Sequence, residues 1–327
     1  MLLVLSSAKD KVAQRVTAEL TRRDASFAVI NPSLECITPS LQCALSRRGS
    51  KLRVAGRTLA LDDIESVWLW RPELELGEAT RAAARLGDAA AASYVEYEWS
   101  AVVYDALQAR PRRWLPGVPS VIHRADGKLR QLQLAERLGL RVPDSLVTND
   151  IDEALAFLED HGGDVIAKPP SPMLALALLP KRMVAYTRAL KPRDLVNITA
   201  LGVAPVLLQQ RIPKRVELRV TVVGGRVFPA EIHSQATRRT RVDWRQYDHA
   251  HTTMRQHTLP ASVRDQCLAL VRELGLSYGA IDLILTPGGD YVFLEINPNG
   301  QWLWIEDAVG FPITSALCDE LLGAVKP

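Results

Sequence analysis

Tyr278-Gly-Ala-Ile-Asp-Leu-Ile-Leu285 and Tyr291-Val-Phe-Leu-Glu-Ile-Asn297, joined by Thr286-Pro-Gly-Gly-Asp290, read as two strands and a tight turn. Leucine, β-branched and aromatic residues fill both runs, and Pro-Gly-Gly between them is turn chemistry. With Gly288-Gly289 as a two-residue turn, Asp282 stands directly opposite Glu295. Glu295 and Asn297 are two apart, so they share a face at a spacing of about 7 Å. Val292, Leu294 and Ile296 then occupy the other face and supply core. Two carboxylates facing each other across a ladder repel. A divalent cation between them removes that cost. Three oxygen ligands without His or Cys (Asp282, Glu295 and Asn297) suit magnesium, with positions left for phosphates and water. The alternative is that one carboxylate pairs with a nearby arginine.

Working outward, Val216–Val223 alternates. Val216, Leu218, Val220 and Val222 face one way, while Glu217, Arg219 and Thr221 face the other. This predicts a strand buried on one face with a charged row on the opposite one. Gly224-Gly225 turns it into a partner, Arg226–His233. Upstream, Leu207-Leu-Gln209-Gln210-Arg211-Ile212 is an apolar strand running out into a polar linker. Such an exit offers backbone N–H and C=O groups to an adenine edge. Glu217 is placed to accept from ribose hydroxyls, and Arg219 to meet phosphate oxygens. Lys168 ends the strand Asp164–Lys168 in Val-Ile-Ala-Lys-Pro, where it can act as a point charge on a phosphate. Lys128 opens a helix after Ala125-Asp126-Gly127. Either lysine taken alone is an ordinary surface residue.

The remaining chain reads as an α/β protein. Leu2–Leu5, Phe27–Ile30 and Val67–Trp70 are buried strands, with a helix over Lys9–Arg22 between the first two. Leu52–Val54 and Thr58–Leu61 flank a hairpin turn, and an Ala-rich helix covers about Glu78 to Gln108. Alternating strands and helices predict an open, mostly parallel sheet. After a Pro/Gly-rich linker, Pro111–Pro119, the helix Asp126–Leu140 carries Leu129, Leu132, Leu134 and Leu138 at helical spacing and stops at Gly139. Strand Ser145–Thr148 and helix Ile151–His161 follow, and Pro169–Arg182 is too broken by proline for a regular element. That segment is either a cover over a ligand or a packed irregular loop. Domain boundaries are expected at 1–115, 116–205 and 206–327.

Composition limits the alternatives. The 327 residues carry a net charge of +3, too little to imply nucleic acid. No apolar run approaches the roughly 20 residues of a membrane span. Cys36, Cys43, Cys267 and Cys318 form neither a C-x-x-C nor a disulfide framework, which reads as a reducing cytoplasm. Arg238, Arg239, Arg241 and Arg245 cluster within eight residues, in isolation a solvated loop. His249, His251 and His257 lack acidic partners at metal-ligand spacing and read as ordinary core or surface histidines.

In order and spacing, Lys128, Lys168, Gln209–Ile212, Glu217, Asp282 and Glu295-x-Asn297 resemble the ATP-grasp ligases. The tail Phe293-Leu-Glu-Ile-Asn-Pro-Asn-Gly-Gln-Trp-Leu-Trp-Ile-Glu306 narrows this. So do Glu217-Leu-Arg-Val-Thr-Val-Val-Gly, Glu231-Ile-His-Ser-Gln235, Asp243-Trp-Arg245 and Val67-Trp-Leu-Trp-Arg-Pro72. Together they resemble the graspetide (microviridin-type) peptide maturases over nearly the whole chain. The resemblance implies an ATP-grasp fold: an N-terminal pre-ATP-grasp α/β domain, a central domain and a C-terminal β-rich α+β domain. It implies ATP and Mg2+ as cofactors and a ribosomal precursor peptide, with leader and acidic core, as partner. A homodimer is also implied.

Carried over residue by residue, Lys128 and Lys168 hold phosphates, the Gln209-Gln210-Arg211-Ile212 backbone reads adenine and Glu217 takes the ribose. Asp282, Glu295 and Asn297 hold the metal. Arg219 and Arg245 are the expected catalytic cations, and Ser234 and Gln235 shape the site. The activity implied is formation of ω-ester or ω-amide macrocycles through an acyl phosphate. The sequence departs from the wider superfamily in lacking a glycine-rich phosphate loop at Pro169–Pro180 and in having Gln210 where an acid is common. Rival readings are a ligase adding a free amino acid to a peptide or protein carboxylate, and a non-catalytic nucleotide-dependent peptide-binding module.

Overall fold

In a computed structural model the chain is described over residues 1–7, 9–31, 42–44, 50–54, 57–71, 89–109, 112–170, 188–190, 204–236 and 252–323. It divides into two compact units. One comprises Met1–Ile122, Gly275–Tyr278 and Pro312–Pro327, and the other His123–Leu274 and Gly279–Phe311.

The first unit is built on strands β1 (Leu2–Leu5), β2 (Phe27–Ile30), β6 (Ser66–Leu69) and β7 (Arg113–Leu115) in the order β2-β1-β6-β7, all parallel. Of the apolar runs read from sequence, β1 and β6 are central strands buried along their length, as a parallel sheet covered on both faces requires, while β2 lies at the edge and is buried only at Ile30. Helix α1 (Lys11–Arg22) starts at Asp10, whose carboxylate accepts from the N–H groups of Val12 and Ala13. Its apolar stripe, Val12, Val16 and Leu20, is buried. Strands β3 (Gln42–Ala44), β4 (Lys51–Val54) and β5 (Arg57–Ala60) make a small antiparallel sheet that includes the expected hairpin. The Ala-rich helix α2 is described from Ala89 to Gln108; its expected start near Glu78 lies outside the described residues. Trp68 and Trp70 are stacked and fully buried, so this tryptophan pair serves the core.

The second unit holds two antiparallel sheets. Helix α3 (Pro119–Ala125) leads into α4 (Lys128–Arg137), which is followed by β8 (Ser145–Thr148), α5 (Ile151–Asp160), β9 (Val165–Lys168), β10 (Arg188–Ala189) and β11 (Val206–Gln210). The strands run β10-β9-β11-β8. Their register sorts the side chains by face. Val165, Ala167, Leu208 and Leu146 pack on Ala154, Leu158 and Phe157 of α5. Lys168, Leu207, Gln209 and Ser145 stand on the other face. In α4 the buried positions are Gln131, Leu132, Leu134 and Ala135, and Leu129 is 47% exposed. Leucine spacing alone misplaced that helix face by one position, because Gln131 takes an inward place that a leucine would ordinarily hold.

The second sheet, β14-β13-β12-β15-β16, combines β12 (Val216–Val223), β13 (Arg226–Ile232), β14 (Met254–Gln256), β15 (Tyr278–Leu285) and β16 (Tyr291–Asn297). Helix α6 (Ala261–Glu273) packs against β12, and a short helix, α7 (Leu303–Val309), follows β16. The final helix, α8 (Ile313–Leu322), returns to the first unit and packs on α1, where Arg23 bonds Asp319 and Ser315.

Two details of this sheet differ from the sequence reading. Strand β12 is buried at all eight positions, the expected charged row included, because it is an inner strand covered on both faces. The β15–β16 connection is a three-residue loop. Thr286 N–H donates to Asp290 O, Gly289 N–H donates to Thr286 O, and Gly289 sits at φ 90°. Leu285, Ile284 and Leu283 accordingly face Tyr291, Val292 and Phe293. A bulge at Leu294 then restores Asp282 opposite Glu295 and Ala280 opposite Asn297. The two offsets cancel at the carboxylates. Beyond the bulge the faces invert, so Phe293, rather than Leu294, joins Ile296 in the core.

Candidate active site

Asp282 and Glu295 face each other, and each has a cation of its own. Arg219 donates from Nη1 to both Asp282 oxygens at 2.9 Å, with both residues buried. Lys128 places Nζ 3.6 Å from Glu295 Oε2 and donates to the Pro169 carbonyl at 3.3 Å. Repulsion across the ladder is thus answered within the protein by an arginine and a lysine, as the alternative sequence reading had it for one carboxylate. A divalent ion would have to share these oxygens with them. Asn297 is exposed, and its Oδ1 accepts from the Asn299 N–H at 3.0 Å, which orients the amide while leaving a lone pair available. The donor set of two carboxylates and one amide oxygen fits a hard cation such as Mg2+. Among the described residues, no group of three or more His, Cys, Asp or Glu side chains is placed to hold a metal.

The backbone of Gly300 allows the close approach at this point. A Cβ there would overlap Ala280 Cβ and lie 3.1 Å from Arg219 Nη2 and 3.3 Å from Asn297 Cβ. The Asn-Pro-Asn-Gly turn therefore packs directly on the guanidinium that holds Asp282.

Glu217 lies on the same face of β12 as Arg219. Its Oε1 accepts from Lys214 Nζ at 2.9 Å and from Ser234 Oγ at 2.8 Å, and Gln235 in turn donates to Ser234. Ser234 and Gln235 thus hold Glu217 in place. Burial pushes the Glu217 carboxyl above its ordinary range; Lys214 and Ser234 oppose the shift, and nearby Asp282 adds to it. Asp126 is likewise raised, by burial first; His123 opposes this and Glu295 adds to it. Asp126 therefore belongs to the acidic surroundings of the hairpin.

Along the other sheet, Lys168 and Gln209 are buried on one face, and Gln209 donates to Ser145 at 2.9 Å. The N–H of Gln210 goes to Asp144 O and that of Arg211 to Asp164 O. The Arg211 guanidinium pairs with Asp164 at the exposed surface. Ile212 is the first residue past this pairing, and its N–H meets no acceptor among the described residues. Of the four-residue stretch expected to read adenine, Ile212 is thus the residue whose N–H stays open. Arg245, its neighbours Arg238, Arg239 and Arg241, and most of the Pro169–Pro180 segment lie outside the described residues.

Lys214 and Gln131 were missed by the sequence reading. Lys214 follows a proline in a polar linker, where nothing signals that it folds back on Glu217. Gln131 had a signal, a polar residue on the apolar stripe of α4.

No family model and no curated sequence matches the chain. Solved structures do match. Macrocyclase MdnC from Microcystis aeruginosa MRC, bound with precursor peptide MdnA, aligns with a TM-score of 0.82 at 27% identity, covering 98% of this chain and 99% of that chain. A RiPP-associated ATP-grasp ligase from Chryseobacterium gregarium, in complex with ADP and a leader and core peptide, gives 0.84 at 26%, covering 99% and 97%. Macrocyclase MdnB from the same Microcystis strain gives 0.73 at 28%, covering 98% of each chain. The chain has the ATP-grasp ligase fold and is similar over nearly its whole length to peptide macrocyclases and RiPP-associated ligases.

In this ligase the sheet carrying Lys168 and Gln209 and the sheet carrying Arg219, Asp282 and Glu295 lie in one compact unit. Lys128 is tied to both: its ammonium touches Glu295 and the residue after Lys168. Lys128, Arg219, Asp282 and Glu295, far apart in sequence, thus meet in a single acidic and cationic cluster.

Proposed function

We propose that the ligase uses ATP and Mg2+ to close ω-ester or ω-amide rings within a ribosomal precursor peptide. The rings join Asp or Glu side chains to Ser, Thr or Lys side chains. The observation that carries this reading is the end-to-end likeness to MdnC, a macrocyclase bound with its precursor peptide. The buried Arg219–Asp282 pair beside the Lys128–Glu295 pair supports it.

A peptide carboxylate oxygen attacks the γ-phosphorus of ATP, the bond to the β–γ bridging oxygen breaks, and ADP leaves. The acyl phosphate is then attacked at its carbonyl carbon by a hydroxyl or amine of the same peptide. The C–O bond to phosphate breaks and the proton leaves with inorganic phosphate or solvent. Lys128 and Lys168 supply fixed positive charge to the phosphates. The Ile212 N–H reads the adenine edge, and Glu217, held by Lys214 and Ser234, faces the ribose through Oε2, which has no partner among the described residues. Arg219, with Arg245, stabilises the oxyanion that develops at the acyl carbon. Asp282, Glu295 and Asn297 would hold Mg2+, which when bound neutralises phosphate charge. An acidic core peptide, a homodimer, a cytoplasmic location and the three-domain division at 115 and 205 belong to the same reading, supported by the resemblance.

The test is mass spectrometry of a short Asp/Glu- and Ser/Thr/Lys-rich peptide encoded beside this protein, incubated with the ligase, ATP and Mg2+. The expected result is loss of one water per ring. An ATP-dependent gain in mass by a free amino acid, with no water lost from the precursor alone, would overturn macrocyclisation in favour of intermolecular ligation.

A further inference from the structure

Among the described residues β16 is the last strand of its sheet, so its outer edge presents N–H and C=O groups with no neighbouring strand among them. At Phe293 this edge is met by backbone, the N–H donating to Arg141 O at 2.7 Å. At Ile296 it is met by a side chain. The Ile296 N–H donates to Gln131 Oε1 at 3.0 Å, and Gln131 Nε2 donates back to Ile296 O at 2.8 Å. The same Nε2 donates to Ala125 O at 2.6 Å, at the end of α3. One amide thus occupies the place of a neighbouring strand residue and ties in the turn before α4 as well. Gln131 is 2% exposed, so these bonds form out of reach of water.

The placement is informative. Ile296 lies between Glu295 and Asn297, and Gln131 lies one helical turn after Lys128 on α4. We infer that Gln131 is a positioning residue of the metal–phosphate site: it fixes the distance between the Lys128 ammonium and the Glu295 carboxylate by clamping α4 to the strand that carries Glu295 and Asn297. A packed apolar residue would fill the same volume without fixing where β16 sits along the helix. Gln131 touches neither substrate nor metal; it acts through Ile296. This inference rests on the proposed role of Asp282, Glu295 and Asn297.

Supporting partners behind metal ligands typically change metal affinity or activity by about 10–100-fold when removed. The experiment measures ADP binding by calorimetry, with and without Mg2+, in the full-length protein, with Gln131→Met and Gln131→Asn compared with wild type. Methionine keeps the volume and loses the bonds, whereas asparagine keeps the amide but is one methylene short. Both variants are expected to bind ADP alone within about threefold of wild type and to lose at least tenfold of the Mg2+-dependent gain in affinity. Circular dichroism confirms that the compared samples are folded; should methionine prevent folding, the asparagine variant carries the test. A Mg2+-dependent gain equal to wild type in a folded variant would overturn the inference and leave the metal site standing. Equal loss of ADP binding with and without Mg2+ would also overturn it, since that marks a general loosening. The absence of any Mg2+ effect in wild type would overturn the metal site itself.

Discussion

Replacing Arg219 by methionine removes the charge that neutralises Asp282 while keeping most of the packing volume. Both partners are buried, with side-chain exposures of 7% and 13%. Breaking such a pair from one side strands a carboxylate away from water and costs about 3–5 kcal/mol. Glu217 and Glu295 stand near, so the stranded carboxylate gains no relief from its neighbours. For a unit of this size the loss corresponds to a fall in Tm of about 10 °C in EDTA. If Asp282 is also a metal ligand, Mg2+ should return much of it. At a hundredfold excess over Kd a ligand specific for the folded state contributes about 2.7 kcal/mol, or roughly 8 °C here. Wild type should gain less from the same Mg2+, because Arg219 must first give up its hold on Asp282. Thermal melts in EDTA and across a Mg2+ titration, with NaCl matched for ionic strength, read both effects. A variant that melts within a degree of wild type in EDTA would refute the buried-pair reasoning. Equal Mg2+ shifts in the two proteins would refute competition between arginine and metal for Asp282.

Two further outcomes follow from local geometry. Gly300→Ala presses a methyl group onto Ala280 and towards Arg219 and Asn297. It should cost about 1–3 kcal/mol in a denaturant titration, and cyclisation should slow by roughly 100-fold as Arg219 moves; unchanged turnover would show that the guanidinium need not stay where it is. On α1, hydrogen bonds from Arg22 and then Arg23 hold the Glu19 carboxyl at about 2. Its pKa is depressed on folding, so its contribution is present above the ordinary value of 4.5 and is lost as pH falls towards 2. Screened by solvent, Glu19→Gln should cost about 1 kcal/mol at neutral pH, with the gap to wild type closing below pH 4.5 in acid titrations; a gap that stays constant with pH would contradict the assignment.

The site was legible where chemistry and period coincide. Asp282 opposite Glu295 came from strand alternation and a glycine turn, and it held although the turn is one residue longer and a bulge follows. Neither feature has a marker in the sequence, because a bulge is chosen by how the strand packs against its sheet. The exit of β11 into a polar linker was legible in the sequence. Which N–H remains open was not, since Asp144 and Asp164 come from distant segments to occupy those of Gln210 and Arg211. His257 shows the same limit: its acidic partner, Glu231, lies 26 residues away and is reached across β13 and β14, while its other ring nitrogen meets Tyr291.

By itself, the sequence determined the elements and the inventory of charges. Alternation of apolar residues with period two specified β12 and β16, a largely apolar run specified β15, and turn residues bounded them. It determined that two carboxylates share one hairpin, because register across a short turn is a local property. Tertiary structure alone decided which cation meets which carboxylate. Arg219 and Asp282 are 63 residues apart, and Lys128 and Glu295 are further apart still. Ion pairing across such separations depends on where sheets and helices come to rest, and that is set by the whole core. The same holds for Gln131, which in sequence is a polar interruption of an apolar stripe and in the fold is the neighbour that β16 lacks.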